Sequence, residues 1–237
     1  MKRRGLVAGI GASICLAGCI DGDPTEGGEG DAGDETPENG DGDDTVTEDP
    51  RVDTPPYPIE RPDPGGEDGY DEGYLGENMP TEPSLGVERL PIAAGGIRDG
   101  SLRELIGSGE DAYRLRLVEA ESEIEEVFDT DAMDDDAADR LRGVGFDEAV
   151  VVVVESGFGS GSVRHRWGRA EDGGSTLDLH GYYTDPVVQT DDVTSRLSVL
   201  EVGRPEEGPD YARMRLTVAP DRRVNLNSTE GVVTVER

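Results

Sequence analysis

The sequence ARMRLTV, at residues 212–218, alternates apolar side chains with arginine or threonine along most of its length. Successive side chains of a β-strand point to opposite faces, so this alternation predicts a strand with one apolar and one polar face. Arg213 and Arg215 fall on the polar face. Further strand-like runs lie at residues 113–117, 149–154, 163–167, 177–180, 197–199 and 232–235. The run at 149–154 is apolar throughout, which is typical of a strand buried on both faces.

The segments between these runs are rich in Gly, Pro and Asp, which favour turns. Short strands separated by turn residues are typical of all-β folds. We therefore expect residues 86–237 to form a mainly β domain, an antiparallel β-sandwich of seven or eight strands. One or two short helices are also expected, at residues 101–106 and 131–141. The second begins with acidic residues, which suit a helix N-terminus.

The strands on either side of the sequence EDGGS, residues 171–175, are expected to form a hairpin. A two-residue loop would place His165 opposite His180, but it would mix polar and apolar side chains on both faces. A three-residue loop pairs Trp167 with Leu179 and separates the faces, so we favour it. His165 then points into the core and His180 points outward.

Arginines occupy the outward positions of two predicted strands, and the planar guanidinium suits carboxylate or phosphate groups. One interpretation is cross-strand pairing with the abundant Asp and Glu. The other is a binding face for an anionic partner, such as a protein or glycan of the cell envelope. The candidate residues of this face are Arg164, Arg166, His180, Tyr182, Arg213 and Arg215.

The overall charge excludes one class of partner. The 237 residues include 54 acidic and 22 basic side chains, which gives a formal net charge of -32. Such a charge repels phosphate backbones, so nucleic-acid binding is excluded. Self-repulsion is largely screened at molar salt, where the Debye length is about 3 Å. The acid excess, with Lys2 as the sole lysine, resembles halophilic archaeal surface proteins; an aid to solubility in ordinary medium is the alternative.

The first nineteen residues contain a basic start, an apolar centre too short to span a bilayer, and small residues before a cysteine. This arrangement resembles the lipobox of prokaryotic lipoproteins. The resemblance implies a signal peptide over residues 1–18, a lipid on the cysteine sulfur, and attachment to the outer face of the cell membrane. The residues that carry it are Arg3, Arg4, Leu16, Ala17, Gly18 and Cys19.

The pair Arg3-Arg4 also resembles a twin-arginine export signal, which implies that the domain folds before it crosses the membrane. Cys15 would leave with the signal peptide, and Cys19 would carry the lipid. The mature chain would then hold no free thiol, which excludes disulfides, cysteine metal sites and cysteine nucleophiles.

Residues 20–85, which follow Cys19, are expected to form a disordered acidic linker. They contain 12 Gly, 10 Pro and 22 acids against two arginines. Low hydrophobicity with high like charge does not offset the entropy of ordering. A calcium loop over residues 39–50 is excluded, because its sixth position is Asp44 rather than Gly and its twelfth is Pro50 rather than Glu.

We assign no catalytic residue, metal site or cofactor from the sequence. A site with both histidines would need the disfavoured hairpin, and no Gly-x-Ser-x-Gly motif occurs. Pairs of carboxylates suited to glycoside hydrolysis cannot be chosen among 54 acids by spacing. Asn227 begins the sequence Asn-Ser-Thr and is a candidate glycosylation site on an extracytoplasmic domain.

Residues 146–154, with the glycine-rich loop that follows, resemble part of the C-terminal domain of protease-complex stabiliser proteins. That resemblance implies a β-sandwich binding module and transfers no site residues, and the doubled Gly-Gly-Tyr typical of the family is absent. We therefore expect a lipid-anchored, non-catalytic β-sandwich that binds an envelope partner from an acidic tether. The alternative is a small extracytoplasmic hydrolase whose catalytic carboxylates are unidentified.

Overall fold

A computed structural model describes residues 45–66, 69–98, 102 and 110–236. The predictions for the signal peptide, Cys19 and residues 20–44 lie outside this part of the chain. The helix expected at 101–106 lies outside it as well, apart from Leu102, which is buried. No helix in the described part is long and apolar enough to cross a membrane.

The described residues form two five-stranded sheets and two short α-helices. The strands are β1 Val52–Asp53, β2 Val87–Leu90, β3 Glu110–Val118, β4 Ala149–Gly159, β5 His165–Asp172, β6 Thr176–Tyr183, β7 Thr194–Gly203, β8 Tyr211–Ala219, β9 Arg222–Asn227 and β10 Val232–Glu236; the helices are α1 Ile124–Val127 and α2 Asp135–Arg142. Sheet 1 has the strand order β1-β9-β8-β6-β5, and sheet 2 has the order β10-β3-β4-β7-β2. The mainly β sandwich predicted from the sequence is confirmed.

The main core lies between the two sheets. Leu179 and Met214 of sheet 1 pack in one apolar cluster with Leu115 and Leu200 of sheet 2, and each is at most 1% exposed. Leu115, Leu179 and Met214 occupy apolar positions of the alternating runs. Leu200 follows the run at 197–199, whose apolar residues Leu197 and Val199 face away from sheet 1. Burial of their side chains from water supplies the main force that holds the sheets together.

A second core lies on the other side of sheet 2 and explains the unbroken apolar run in β4. Val150, Val152 and Val154 face sheet 1, whereas Val151 and Val153 belong to a separate cluster with residues from the helical segments. Because β4 is covered on both faces, neither set of positions is polar.

Helix α2 packs Leu141 into this second core. The helix begins at Asp135, later than the predicted residue 131. Its N-cap is Asp134, whose side chain accepts a hydrogen bond from the Ala137 backbone N–H at 2.9 Å. The cap satisfies a free N–H of the first turn, and the acids of that turn suit the helix dipole.

The sandwich is not purely antiparallel, and it has more strands than predicted. Strands β6 and β8 pair in parallel, because β7, which lies between them in the chain, belongs to the other sheet. Strands β1, β2 and β9 were not predicted. None of the three contains a long alternating run.

The β5–β6 hairpin has neither of the two expected registers. Trp167 lies opposite Gly181, and Arg169 lies opposite His180, with a bulge between them at Gly168. The turn is Gly174-Ser175, and Gly174 has a positive φ of 81° that suits glycine. The bulge adds one residue to β5 and so places its apolar and polar side chains on opposite faces of the sheet. The three-residue loop was expected to have the same effect. His165 points inward and His180 outward in spite of the wrong registers.

The predicted linker is wrong for its described part. Residues 45–66 and 69–85, here called the strap, pack on sheet 1 before the chain enters β2. Tyr74 and Leu75 are 3% and 1% exposed and lie in the main core. Val52 and Asp53 pair with β9. The described fold therefore includes about forty residues ahead of the predicted boundary at residue 86.

Candidate functional site

The predicted arginine face is the outer face of sheet 1, on the side away from the main core. Arg213 and Arg215 on β8, with Asp178 and His180 on β6, occupy the outward positions. They alternate with the buried leucines, methionine and alanine of the same strands. The strap crosses this face, so its charged side chains lie partly under a covering segment.

Arg213 and Arg215 are paired with acids, as the first interpretation of the arginines predicted. Arg215 donates to Asp178 at 2.6 Å, and Arg213 lies 3.4 Å from the same carboxylate. Arg213 also donates to Glu48 of the strap at 2.8 Å. The ion pairs therefore fix the strap to the sheet, which sequence alternation alone did not reveal.

His180 is buried beside Glu171, with its Nε2 atom 3.0 Å from a carboxylate oxygen. Burial lowers the pKa of His180 to about 4, and the positive charge of Arg169 acts in the same direction, whereas Glu171 raises it. The histidine is therefore neutral at pH 7 and offers one N–H donor and one acceptor.

Arg164 and Arg166 are the exposed members of the predicted face. Neither forms an ion pair with a described residue. Arg166 lies opposite Tyr182, whose ring packs against Gly76 so closely that a Cβ there would lie 2.1 Å from it. Arg166 and Tyr182 line a shallow depression of about 430 Å³ together with Asp71, Glu72 and Glu77. Of the six predicted residues, His180, Arg213 and Arg215 are therefore paired with acids, Tyr182 is half-buried against the strap, and Arg164 and Arg166 are exposed near and on the edge strand β5.

Sequence analysis missed a cavity of about 210 Å³ between the outer face and the strap, here called the strap cavity. Arg169, Arg223 and His180 line it together with Arg215, and Tyr57, Met79 and Pro80 of the strap cover it. Tyr57 bonds to the Thr217 hydroxyl at 2.9 Å. Nothing in the composition of the strap signalled this contact, because its apolar residues are isolated in the sequence.

A buried polar network surrounds the other histidine. The Nε2 and Nδ1 atoms of His165 lie 2.6 Å and 3.0 Å from the hydroxyls of Ser156 and Ser198, and the Ser156 hydroxyl also bonds to that of Tyr183 at 2.7 Å. Desolvation lowers the pKa of His165 to about 3, so it stays neutral. Ser156 and Ser198 are at most 1% exposed, so this serine–histidine contact does not present a nucleophile to a substrate.

A second cavity, of about 380 Å³, is partly lined by Tyr183 at the edge of this network. Its charged lining contains both signs. Arg61 lies 3.1 Å from Asp185, which also accepts a hydrogen bond from Tyr74 at 2.8 Å. Arg196 stacks over the Tyr183 ring at 4.7 Å. The basic and acidic side chains that line this cavity therefore largely neutralise one another.

Carboxylates gather in a third depression, of about 500 Å³, lined by Glu119, Glu123, Glu126 and Asp210. Burial raises the pKa of Glu119, and the neighbouring acids raise it further, whereas Arg204 at 3.5 Å lowers it. Among the described residues, no group of three or more His, Cys, Asp or Glu side chains is arranged to hold a metal ion.

The structure contradicts the proposal of Asn227 as a glycosylation site. Its side chain is fully buried, and its amide nitrogen donates to the Val46 carbonyl at 2.6 Å and lies 3.1 Å from Glu48. The amide oxygen accepts a bond from the Thr229 backbone at 3.0 Å. The amide that would carry a glycan instead holds the start of the strap.

Comparisons with family models, curated proteins and solved structures returned no match to this chain.

Proposed function

We propose that this chain is a lipid-anchored protein of the outer face of the cell membrane, exported through a twin-arginine signal, whose β-sandwich is a binding module. The observation that carries the anchor is the sequence Leu-Ala-Gly-Cys at residues 16–19, behind a basic start and an apolar centre. The observation that favours binding is the outer face of sheet 1, where exposed arginines and a cationic cavity occur in a chain of net charge -32.

In this proposal, residues 20–44 belong to the acidic tether behind Cys19, and they carry 11 acids and no base. The two acyl chains of a lipoprotein lipid hold stably, whereas one chain binds a membrane only marginally.

The anchor is tested by Cys19→Ser, with Cys15→Ser as the matched control. We expect Cys19→Ser to be released from the membrane or to remain as an unprocessed precursor, whereas Cys15→Ser fractionates like the native protein. Mass spectrometry of the native protein should find a lipid on Cys19 as the first residue. A mature chain that still begins at Met1, or an unmodified Cys19 thiol, would overturn the anchor.

The binding role of the exposed arginines is tested by a pull-down of cell-envelope material at high salt. The double variant Arg164→Ala/Arg166→Ala removes two exposed arginines of the predicted face that form no ion pair with a described residue. The control Arg140→Ala/Arg142→Ala removes half-buried Arg140 and exposed Arg142 from α2, beside the other sheet. We expect the first variant to lose an envelope protein or glycan that the control retains. Equal retention by both variants would assign these arginines a purely structural role.

Glu119 supports the second candidate function, a hydrolase with carboxylate catalysis. A carboxyl group with a raised pKa beside a second carboxyl group is an arrangement used in general acid catalysis. Glu119→Gln removes the acid and keeps the shape. Hydrolysis of an envelope glycan that is abolished by Glu119→Gln and retained by Glu126→Gln would favour the enzyme over the binding module.

A further inference from the structure

The strap cavity differs from the rest of this acidic molecule in its charge. Arg169, Arg215 and Arg223 line it, and no Asp or Glu is among its lining residues. These arginines are 14%, 26% and 15% exposed, so their guanidinium groups are largely withdrawn from water. Charged groups in such surroundings interact more strongly than in bulk solvent.

The acids that pair with these arginines leave donors free on each guanidinium. Arg215 uses one Nη atom on Asp178 at 2.6 Å. Arg223 bonds to Asp53 through Nε, at 2.8 Å, and one Nη atom. The remaining N–H groups of both arginines have no acceptor among the described residues, although each guanidinium carries five donors.

Arg169 has an unsatisfied donor of its own. Its Nη1 atom donates to the Pro80 carbonyl at 2.8 Å, which fixes the guanidinium beneath the strap. Its Nε atom is buried 3.0 Å from Glu171 but makes no hydrogen bond with it. A buried donor without an acceptor is costly, so the hydrogen-bonding capacity of the Arg169 guanidinium in the cavity wall is only partly used.

The size of the cavity restricts the ligand. Drug-sized molecules occupy pockets of about 300–1,000 Å³, which is more than the 210 Å³ found here. The apolar part of the wall comes from Met79, Pro56 and Pro80, and neutral His180 adds a further polar group. The wall thus suits a compact anion that carries a small apolar body.

We propose that the strap cavity is a binding site for a small oxyanion, a carboxylate or phosphate group, held by Arg169, Arg215 and Arg223 under the strap. This inference deepens the binding function proposed above, and it does not depend on the lipid anchor. The ligand acts as the acceptor for the free guanidinium donors, and fork-shaped contacts to planar oxygens provide the selectivity.

The other cavities do not match this chemistry. The lining of the cavity beside Tyr183 includes the acids Asp111 and Asp185 as well as Arg61, so it is not selective for an anion. The depression beside Glu119 is dominated by acids and would repel an anion. The strap cavity combines cationic lining, partial enclosure and unsatisfied donors.

The native protein provides a direct test, because its two histidines report on two different places. We would follow their ring resonances by NMR during pH titrations at fixed ionic strength, with inorganic phosphate, acetate or benzoate as the probe. An anion in the cavity should raise the apparent pKa of His180 by at least half a unit, in addition to the effects of Arg169, Glu171 and Arg215. His165, inside the core, should not change.

Two arginine variants provide the matched comparison. Arg215→Gln and Arg213→Gln each remove a guanidinium next to Asp178, but only Arg215 lines the cavity. We expect calorimetry with the probe that binds best to show at least a tenfold weaker Kd for Arg215→Gln and less than a twofold change for Arg213→Gln. Arg215→Lys retains the charge and should bind with intermediate affinity.

Saturable binding of phosphate but not of acetate or benzoate would identify a phosphate site. Saturable binding of acetate or benzoate but not of phosphate would identify a carboxylate site. The proposal is overturned if no probe binds the native protein saturably, or if Arg213→Gln and Arg215→Gln weaken binding equally. Circular dichroism confirms the fold of each variant, and the His180 measurement needs no variant. If mass spectrometry finds the lipid on Cys19 but no probe binds in the cavity, the anion site is refuted and the lipid anchor is not.

Discussion

Replacement of Leu75 by alanine tests whether the strap is part of the fold. Leu75 is 1% exposed in the main core, although it lies in a segment whose composition predicts a linker. The substitution removes three carbons, worth about 0.8 kcal/mol for each buried methylene, or about 2.4 kcal/mol in total. The cavity left behind adds to this loss, so we expect a decrease of about 2.5–5 kcal/mol in the free energy of unfolding.

The matched control is Val46→Ala, because Val46 lies in the same strap but is 40% exposed. We expect it to change stability by less than about 0.5 kcal/mol. Urea unfolding at high salt would measure both variants, and Leu75→Ala should also lower Tm by roughly 5–20 °C. Equal stability of Leu75→Ala and Val46→Ala would show that residues 45–85 are a linker and that the strap does not pack on the sandwich.

Further expectations concern pH and a helix cap. The pKa values of His165 and His180 in the folded state, about 3 and about 4, lie below the value of about 6.5 in an unfolded chain. At these two histidines, only the unfolded chain therefore takes up protons between pH 8 and pH 5.5, and each histidine should cost about 1.4 kcal/mol of stability over that range. Urea titrations at both pH values should show this loss, and His180→Gln should remove about half of it; a native protein whose stability is unchanged would contradict the burial of both rings. At α2, Asp134→Ala should cost about 1 kcal/mol by removing the cap on the Ala137 N–H. Asp131→Ala, ahead of the helix, serves as the control, and an equal loss in both variants would refute the assigned start of α2.

The sequence predicted most of the sandwich because its signals are local. Alternation at residues 212–218 and the valine run of β4 record which faces are covered. When another layer covers only one face of a strand, every second residue is polar. When both faces are covered, all positions are apolar. The orientations of His165 and His180 followed from the same rule, even though both expected hairpin registers were wrong. Register depends on the bulge at Gly168, a single residue that alternation does not reveal.

The strap could not be predicted in this way, because its contacts are not periodic. Tyr74 and Leu75 enter the core as an isolated pair, and Arg51 reaches Glu230 across more than 170 residues of chain at 2.9 Å. An acidic, proline-rich segment is typically disordered when it packs on nothing. Here the strap packs on the cationic and polar residues of β8 and β9. The strap cavity follows from this contact and was therefore also missed.

Tension on the chain ahead of residue 45 would reach the sandwich at one edge of sheet 1. The first bonds to carry the load run from the backbone N–H groups of Val46 and Glu48 to the side chains of Thr229 and Glu230, at 2.9 Å and 3.2 Å. The ion pairs of Glu48 with Arg213 and of Asp53 with Arg223 follow along the chain. In the proposed membrane-anchored protein, such a load would therefore free these two arginines before it reached Tyr74 and Leu75 in the main core.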